Sequence, residues 1–401
     1  MPLPKFLSTV GIHALAGLTH APARPEGRYR LALLKLDRIG DFVLASGAIR
    51  YALAQVEGPK LLVVSEVAAP LAHRLFPEAD CLTMPAFAPG LLRDMLPIAL
   101  RQSRTLRSLR AETLLHLRYQ PTHYHRLVQR WIPARRALAM EDTTHPVWRE
   151  AIRLPLVSDR ELPYPSLGEI ADLREGALLG CGELEGHRRV MEAWLRRPVT
   201  LRAVWPWLEP LRANLPPQQA LLVAPFCSAR IREYPAEKLI EAVREFHAAH
   251  PLPIHVACAP DERARAAALI AAFKRRGLRD VAAVPNACLS DYAGLVSAYR
   301  LVLSMDSATA HFAAAFGTPG VALLGGGHFG HFAPWSAGSR FTWLCHRTPC
   351  HHCEWRCPLD EAECLAEIPP KTVAEALARQ FQRPARSLGA PVEGPAAAAR
   401  H

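Results

Sequence analysis

Apolar residues in this chain fall into short continuous blocks, each followed by a polar turn and then by a longer stretch with helical spacing. Arg30 to Leu36 is the first such block and reads as a strand buried on both faces. Asp37-Arg38-Ile39-Gly40-Asp41 makes a tight turn, and Phe42 to Gln55 carries an apolar stripe that predicts a helix. The alternation continues with strands at Leu61 to Val64 and Asp80 to Thr83. A helix follows over Leu91 to Leu109, with Leu92, Leu96 and Ala99 inward, and then strands at Thr113 to Leu117 and Arg135 to Ala139. Regularity falls away between Glu141 and Glu209. There Tyr164-Pro165, the glycine-rich Gly176 to Gly186 and Trp205-Pro206-Trp207 predict an irregular excursion and then a linker.

The second half repeats the first. Leu221 to Ala224 is a strand, Pro225 to Pro235 a long polar turn, and Ala236 to His250 a helix. Ile254 to Ala257 and the helix opened by Asp261-Glu262-Arg263 come next. Leu301-Val302-Leu303 then leads through Ser304-Met305-Asp306-Ser307 into a helix containing Ala310, His311, Phe312 and Ala315. Either Asp306 or Ser307 can cap that helix. Gly317 has the place of a C′ glycine, Pro319 prevents continuation, and Val321 to Leu324 is the next buried strand, turned away by Gly325-Gly326-Gly327. Such repetition predicts an α/β protein with parallel sheets. We expect an extension over 1–29, a first domain over 30–210, a second over 211–385, and a disordered tail over 386–401.

The chain has 401 residues, half of them hydrophobic, and a formal charge of +11. That charge calls for an acidic partner. No nucleic-acid-binding signature accompanies it, which points to an anionic glycan or membrane surface. No run of eighteen apolar residues occurs, and Phe6 to Leu18, interrupted by His13, makes a poor signal peptide. The turn after the first strand has no G-x-G-x-x-G, which argues against a dinucleotide oxidoreductase. Cys81, Cys181, Cys227, Cys258 and Cys288 are scattered and read as small buried hydrophobes, so a reducing, cytoplasmic compartment is expected.

The candidate chemistry sits in the turns. The front of the helix after Ser307 presents free N–H groups and a positive dipole end, which suit a phosphate. Ser307, Thr309 and His311 add polar groups, Ser307 and His311 at i and i+4 on one face; a capped helix with a core histidine is the plainer alternative. Ser228, Arg230 and Arg232 lie in the turn after Leu221 to Ala224, at the strand end where a cation suits phosphate. In the first turn, Asp37 and Asp41 flank Gly40. A carboxylate there can accept a proton from a sugar hydroxyl, or Asp41 can merely cap its helix. Arg101, Arg104 and Arg107 recur every three residues and read as a solvated helix face ahead of an acceptor-phosphate site.

The segment Asp306 to Pro319 resembles the donor-site motif of the heptosyltransferase family, glycosyltransferase family nine. The Gly40-Asp41 pair resembles the opening of that family's acceptor domain, and the Arg232-Glu233-Tyr234-Pro235 turn its donor-diphosphate loop, where Lys-x-Trp-Pro is common. The resemblance implies a GT-B fold of two facing Rossmann-like domains and an inverting transfer from a nucleotide-activated sugar, ADP-heptose in the best-known members, with no catalytic cofactor. It implies Asp41 as the base, with Asp37 and Gly40 on the acceptor side. On the donor side it implies Ser228, Arg232, Asp306, Ser307, Thr309, Ala310 and His311, with Glu262 for the ribose hydroxyls and Asp261 as its helix-capping neighbour. The acceptor would be an anionic glycolipid such as lipopolysaccharide core, or a protein, reached at the inner-membrane surface. A nucleotide-sugar epimerase or an inactive scaffold on the same fold are the alternatives.

Cys350-x-x-Cys353-x-x-x-Cys357, with Cys364 beyond, gathers four thiols in a short stretch. Such a set suits one structural zinc or iron ion; a reduced, metal-free cluster is the alternative, with Cys345, His351 and His352 as substitute ligands. In some relatives a similar insert resembles an iron-binding finger involved in assembly, which leaves a homo-oligomer open.

Overall fold

Leu31, Ala32, Leu33 and Leu34 are wholly buried, and their strand, β1 (Tyr29–Lys35), forms the centre of a parallel sheet. The computed structural model describes residues 28–85, 101–118, 123–141, 160–163, 169, 173–285, 287–338, 340–359 and 361–383. Around β1 stand β2 (Lys60–Ser65), β3 (Asp80–Met84), β4 (Ala111–His116), β5 (Ala134–Glu141) and β6 (Arg160–Pro163), in the order β3-β2-β1-β4-β5-β6. Every pair is parallel, with Leu33 opposite Leu62 on one side and Leu115 on the other. Helices Ile39–Ala54, Ala69–Leu75 and His123–Trp131 and a helical segment over 101–108 connect the strands. Arg101, Arg104 and Arg107 are exposed, as a solvated face requires. Of the helix expected from Leu91 to Leu109, the part before residue 101 lies outside the described residues, as do the segment Phe6 to Leu18 and the tail after residue 383.

The hairpin of β7 (Arg174–Glu175) and β8 (Leu178–Leu179) precedes the second large sheet. That sheet contains β9 (Gln218–Ala224), β10 (Ile254–Val256), β11 (Val281–Ala283), β12 (Tyr299–Met305) and β13 (Gly320–Leu323). After β14 (Ser336–Ala337), which pairs with β8, β15 (Phe341–Leu344) completes it. The order is β11-β10-β9-β12-β13-β15, again parallel throughout. Counted within its own half, each sheet therefore has the doubly wound order 3-2-1-4-5-6, with its reversal between the first and fourth strands.

The chain divides into two units and passes from the first to the second for the last time between Trp205 and Pro206. The β7–β8 hairpin belongs to the second unit, and Glu183–Trp205 to the first. The pattern of apolar residues put the boundary a few residues later, at 210/211.

One helix, Gly182–Leu195, lies where the sequence predicts an irregular excursion. Its inward positions include Glu183, Glu185 and His187, all buried, beside Leu184, Val190 and Met191. Charges on the covered side hide the apolar stripe that marks most amphipathic helices. Those charges have partners in the first unit. Lys35, wholly buried at the end of β1, places its Nζ 2.6 Å from Glu183 Oε1 and 2.9 Å from Asp37 Oδ2. Burial alone would raise the Glu183 carboxyl, but Lys35 and His187 bring it down to about 2.

Because folding lowers the Glu183 pKa, its contribution is full above the ordinary carboxylate value and is lost as pH falls through about 2. Glu183→Gln strands Lys35 beside a weaker partner and should cost about 3–5 kcal/mol at neutral pH. Urea unfolding should show that loss at pH 7 and a shallower decline towards acid pH than in the native protein.

Candidate functional site

Ligands of doubly wound sheets bind where the strand order reverses, outside the carboxyl ends of the strands. In the second unit that place lies after β9 and β12. The loop after β9 passes Cys227 and Ser228, makes a 3-10 turn at Arg230–Arg232, and enters the helix Ala236–Ala249 through Tyr234-Pro235. Tyr234 anchors the loop. It is buried, its N–H donates to Met305 Sδ at 3.3 Å, and its hydroxyl donates to the Ile368 carbonyl at 2.6 Å. Glu233 fastens the same loop, accepting from the Cys227 N–H at 3.0 Å and from Arg265 Nη1 at 3.2 Å.

Arg232 crosses to the end of β12. Its Nη2 donates to Asp306 Oδ2 at 2.7 Å and to the Asp306 carbonyl at 3.1 Å. Asp306 is buried, whereas the Arg232 side chain keeps a fifth of its surface exposed. The carboxylate therefore orients the guanidinium, which stays partly exposed. Cys227 lies beneath this pair, its Sγ 3.6 Å from the Asp306 carbonyl, and burial pushes its thiol up to about 12.

The helix Ala308–Phe316 begins beside the pair. Ser307, not Asp306, is its N-cap residue, and its hydroxyl is 3.0 Å from Ser304 Oγ instead of bonding the first-turn amides. Thr309 Oγ1 meets the Tyr292 hydroxyl at 2.8 Å, and Ala310 is wholly buried. Gly317 ends the helix in the left-handed conformation, φ 68°, as its C′ place requires. His311 is buried, and Trp335 Nε1–H donates to its Nδ1 at 3.0 Å. That bond puts the proton of the neutral ring on Nε2, which faces Asp306 Oδ1 at 3.9 Å. Burial, with Arg232 adding to it, lowers the His311 pKa to about 4.

The other expected site residues are placed as follows. Ser228 is exposed in the loop after β9. Glu262 Oε2 accepts the Ala259 N–H at 2.8 Å, so Glu262 performs the capping duty expected of Asp261. In the first unit, Gly40 and Asp41 lie in the first turn of Ile39–Ala54, whose N-cap residue is Arg38, so Asp41 is not the cap. Asp41 is half-buried there. Asp37 is buried, with Lys35 on one carboxylate oxygen and Arg118 on the other. It serves the interior network, where the sequence alone put it on the acceptor side.

Among the described residues, no three His, Cys, Asp or Glu side chains converge as metal ligands. Cys350, Cys353 and Cys357 lie near enough to Cys364 for their charges to raise its thiol pKa, which burial raises first. Their sulfurs have other neighbours, however: Cys350 Sγ is 3.4 Å from Thr348 Oγ1, and Cys357 Sγ is 3.7 Å from the Glu361 carbonyl. The four-thiol shell expected from the spacing is not formed in this arrangement. Trp335 and Trp355 carry no role in the sequence reading, and Glu233 enters it only as part of its turn; Trp335 follows the glycine-rich turn and Trp355 sits among the cysteines.

Residues 208–362 match the model of glycosyltransferase family 9 (heptosyltransferase). This segment is similar to that family's domain. That match supports a glycosyltransferase and covers every residue expected on the donor side. Solved structures agree in fold. E. coli heptosyltransferase WaaC with ADP superposes with a TM-score of 0.60 at 17% identity, over 87% of this chain and 99% of that one. E. coli ADP-heptose lps heptosyltransferase II gives 0.60 at 16%, over 88% and 98%. A family 9 glycosyl transferase from Veillonella parvula gives 0.61 at 12%, over 89% and 98%. At these identities the likeness establishes the GT-B fold alone. No curated protein sequence matches the chain.

Two outcomes follow for this segment. Arg232→Ala should weaken nucleoside-diphosphate binding by about tenfold or more, and Arg232→Lys should restore part of it, as titration calorimetry would show. His311 should stay neutral as pH falls from 8 to about 5, because its folded pKa lies near 4; its ring-proton shifts in NMR should not move over that range.

Proposed function

We propose that the protein transfers a sugar, with inversion, from a nucleoside-diphosphate donor to a hydroxyl on an anionic bacterial cell-surface glycan or on a protein. The observation that carries this reading is the Arg232–Asp306 pair beside the N-terminus of Ala308–Phe316, within the segment that matches the family model. Heptose from ADP-heptose is the donor we favour. WaaC has been seen with ADP-2-deoxy-2-fluoro heptose, and the second E. coli neighbour is an ADP-heptose lps heptosyltransferase. The charge of +11 supports an anionic acceptor. Among the described residues no helix is long and apolar enough to cross a membrane.

In the reaction, the acceptor oxygen forms a bond to the anomeric carbon as the bond from that carbon to the β-phosphate oxygen breaks. The hydroxyl proton passes to Asp41, and the electron pair of the broken bond leaves on the diphosphate. Arg232 and the first-turn amides of Ala308–Phe316 meet that growing negative charge, which is where preorganised donors lower a barrier most. His311 contributes a neutral Nε2–H donor and no charge.

Incubating the protein with ADP-heptose and an acceptor tests this directly: ADP release coupled to sugar transfer is expected, and an isomerised donor or no turnover would contradict it. Asp41→Asn should lower turnover by about 10² to 10⁴ while ADP affinity stays unchanged, because the base acts on the acceptor. Near-native turnover in that variant would remove Asp41 from the mechanism.

We propose also that Cys350, Cys353, Cys357 and Cys364 draw together around one zinc or iron ion, which would be structural, since four thiolates leave no open position. Elemental analysis of protein purified without a metal column should find about one equivalent; less than about a tenth, with all four thiols alkylated in the native protein, would overturn it.

A further inference from the structure

The cysteine-bearing segment lies against the three-glycine turn after β13. The His352 N–H donates to the Gly326 carbonyl at 2.9 Å, and the Glu354 N–H to the Gly327 carbonyl at 3.0 Å. Three non-glycine residues in this short run, His352, Glu354 and Trp355, have positive φ, at 66°, 51° and 61°. Such conformations are costly and persist only where surrounding contacts impose them. The contacts are visible. A Cβ on Gly325 would collide with the Trp355 ring, and one on Gly327 would come within 2.7 Å of it. On Gly326 a Cβ would lie 2.8 Å from His351 Nδ1. The glycines thus form a flat seat, and the strained run presses aromatic rings onto it.

The Trp355 ring also carries Arg232, whose guanidinium carbon lies 5.2 Å from the ring centroid. The guanidinium is therefore fixed in two ways, by the Asp306 carboxylate through a hydrogen bond and by the indole through cation–π attraction. The indole N–H is buried with no hydrogen-bond partner among the described residues, so the ring works through its faces. His328, in the same turn, packs edge-on to the ring at 6.3 Å between centroids.

We propose that Trp355 is a positioning residue of the nucleoside-diphosphate site, and that the cysteine-bearing segment serves donor binding by holding this indole under Arg232. The inference rests on the reading of Arg232 as a diphosphate ligand. An arginine with a long flexible stem loses rotamer freedom when it meets phosphate, and a stacked ring removes that cost before the ligand arrives. The segment thereby joins the thiol cluster to the donor site through one side chain.

The test uses the full chain and whichever of ADP, GDP, UDP and CDP the native protein binds most tightly, with affinity read by calorimetry and folding by circular dichroism. Trp355→Ala should weaken binding by about three- to thirty-fold, the range of a desolvated cation–π contact. Trp355→Phe, which keeps a ring face and lacks the N–H, should recover most of it. In the double variant with Arg232→Ala, the loss should be no larger than for Arg232→Ala alone, since both act through one guanidinium. If Trp355→Ala does not fold, Trp355→Leu takes its place, keeping an apolar contact with the glycines but no ring face. Native affinity in these variants, a Phe variant as weak as Ala, or additive losses in the double variant would overturn the role of Trp355. Native affinity in Arg232→Ala, or no nucleotide bound by the native protein, would instead overturn the donor-site reading beneath it.

Discussion

A single ion pair, Arg232 with Asp306, organises the strand ends at the centre of the second unit's sheet. It ties the loop after β9 to the end of β12, the two strands between which the sheet order reverses. Asp306 is buried, and a buried carboxylate without a partner is costly enough to unfold many domains. The pair is therefore a structural necessity that also aims a guanidinium. Around it the other contacts are subordinate: Tyr234 and Glu233 hold the loop, and Trp335 sets the tautomer of His311. Because His311 stays neutral, it alters hydrogen bonding at the site and leaves its charge unchanged.

The first unit solves the same topological problem differently. Its sheet has the same order, and ions again gather at the ends of the first and fourth strands. There, Lys35, Asp37 and Glu183 are buried and pair with one another, with Arg118 joining from beyond the end of β4. A closed network of this kind fixes local geometry and has little surface for a ligand. The contrast follows from burial: the ion pairs of the first unit are nearly all enclosed, whereas Arg232 in the second keeps a fifth of its side chain exposed. Asp41, half-buried in the first turn of its helix, keeps some exposure where Asp37 has almost none.

Strands buried on both faces were easily read from sequence, because runs such as Leu31 to Leu34 and Leu301 to Leu303 admit few other structures. The helix Ala308–Phe316 was equally legible, bounded by Ser307 and Gly317. Helix Gly182–Leu195 was not, since Glu183, Glu185 and His187 occupy its covered side and erase the usual stripe. For the same reason Asp37 read as a candidate ligand: a carboxylate in a turn gives no sign in sequence that Lys35 and Arg118 will enclose it. The partnership of Trp355 with Arg232 joins residues far apart in the chain, which no local pattern encodes.

The role of Asp306 provides the sharpest measurement. A carboxylate lying beside an anion site by accident would repel the ligand, and neutralising it would tighten binding. A carboxylate that holds the guanidinium in place has the opposite effect when removed. The affinity of Asp306→Asn for ADP, measured by calorimetry beside a circular-dichroism check of folding, should be about tenfold weaker than that of the native protein. Equal or tighter binding in the folded variant would contradict the claim that this ion pair builds the donor site.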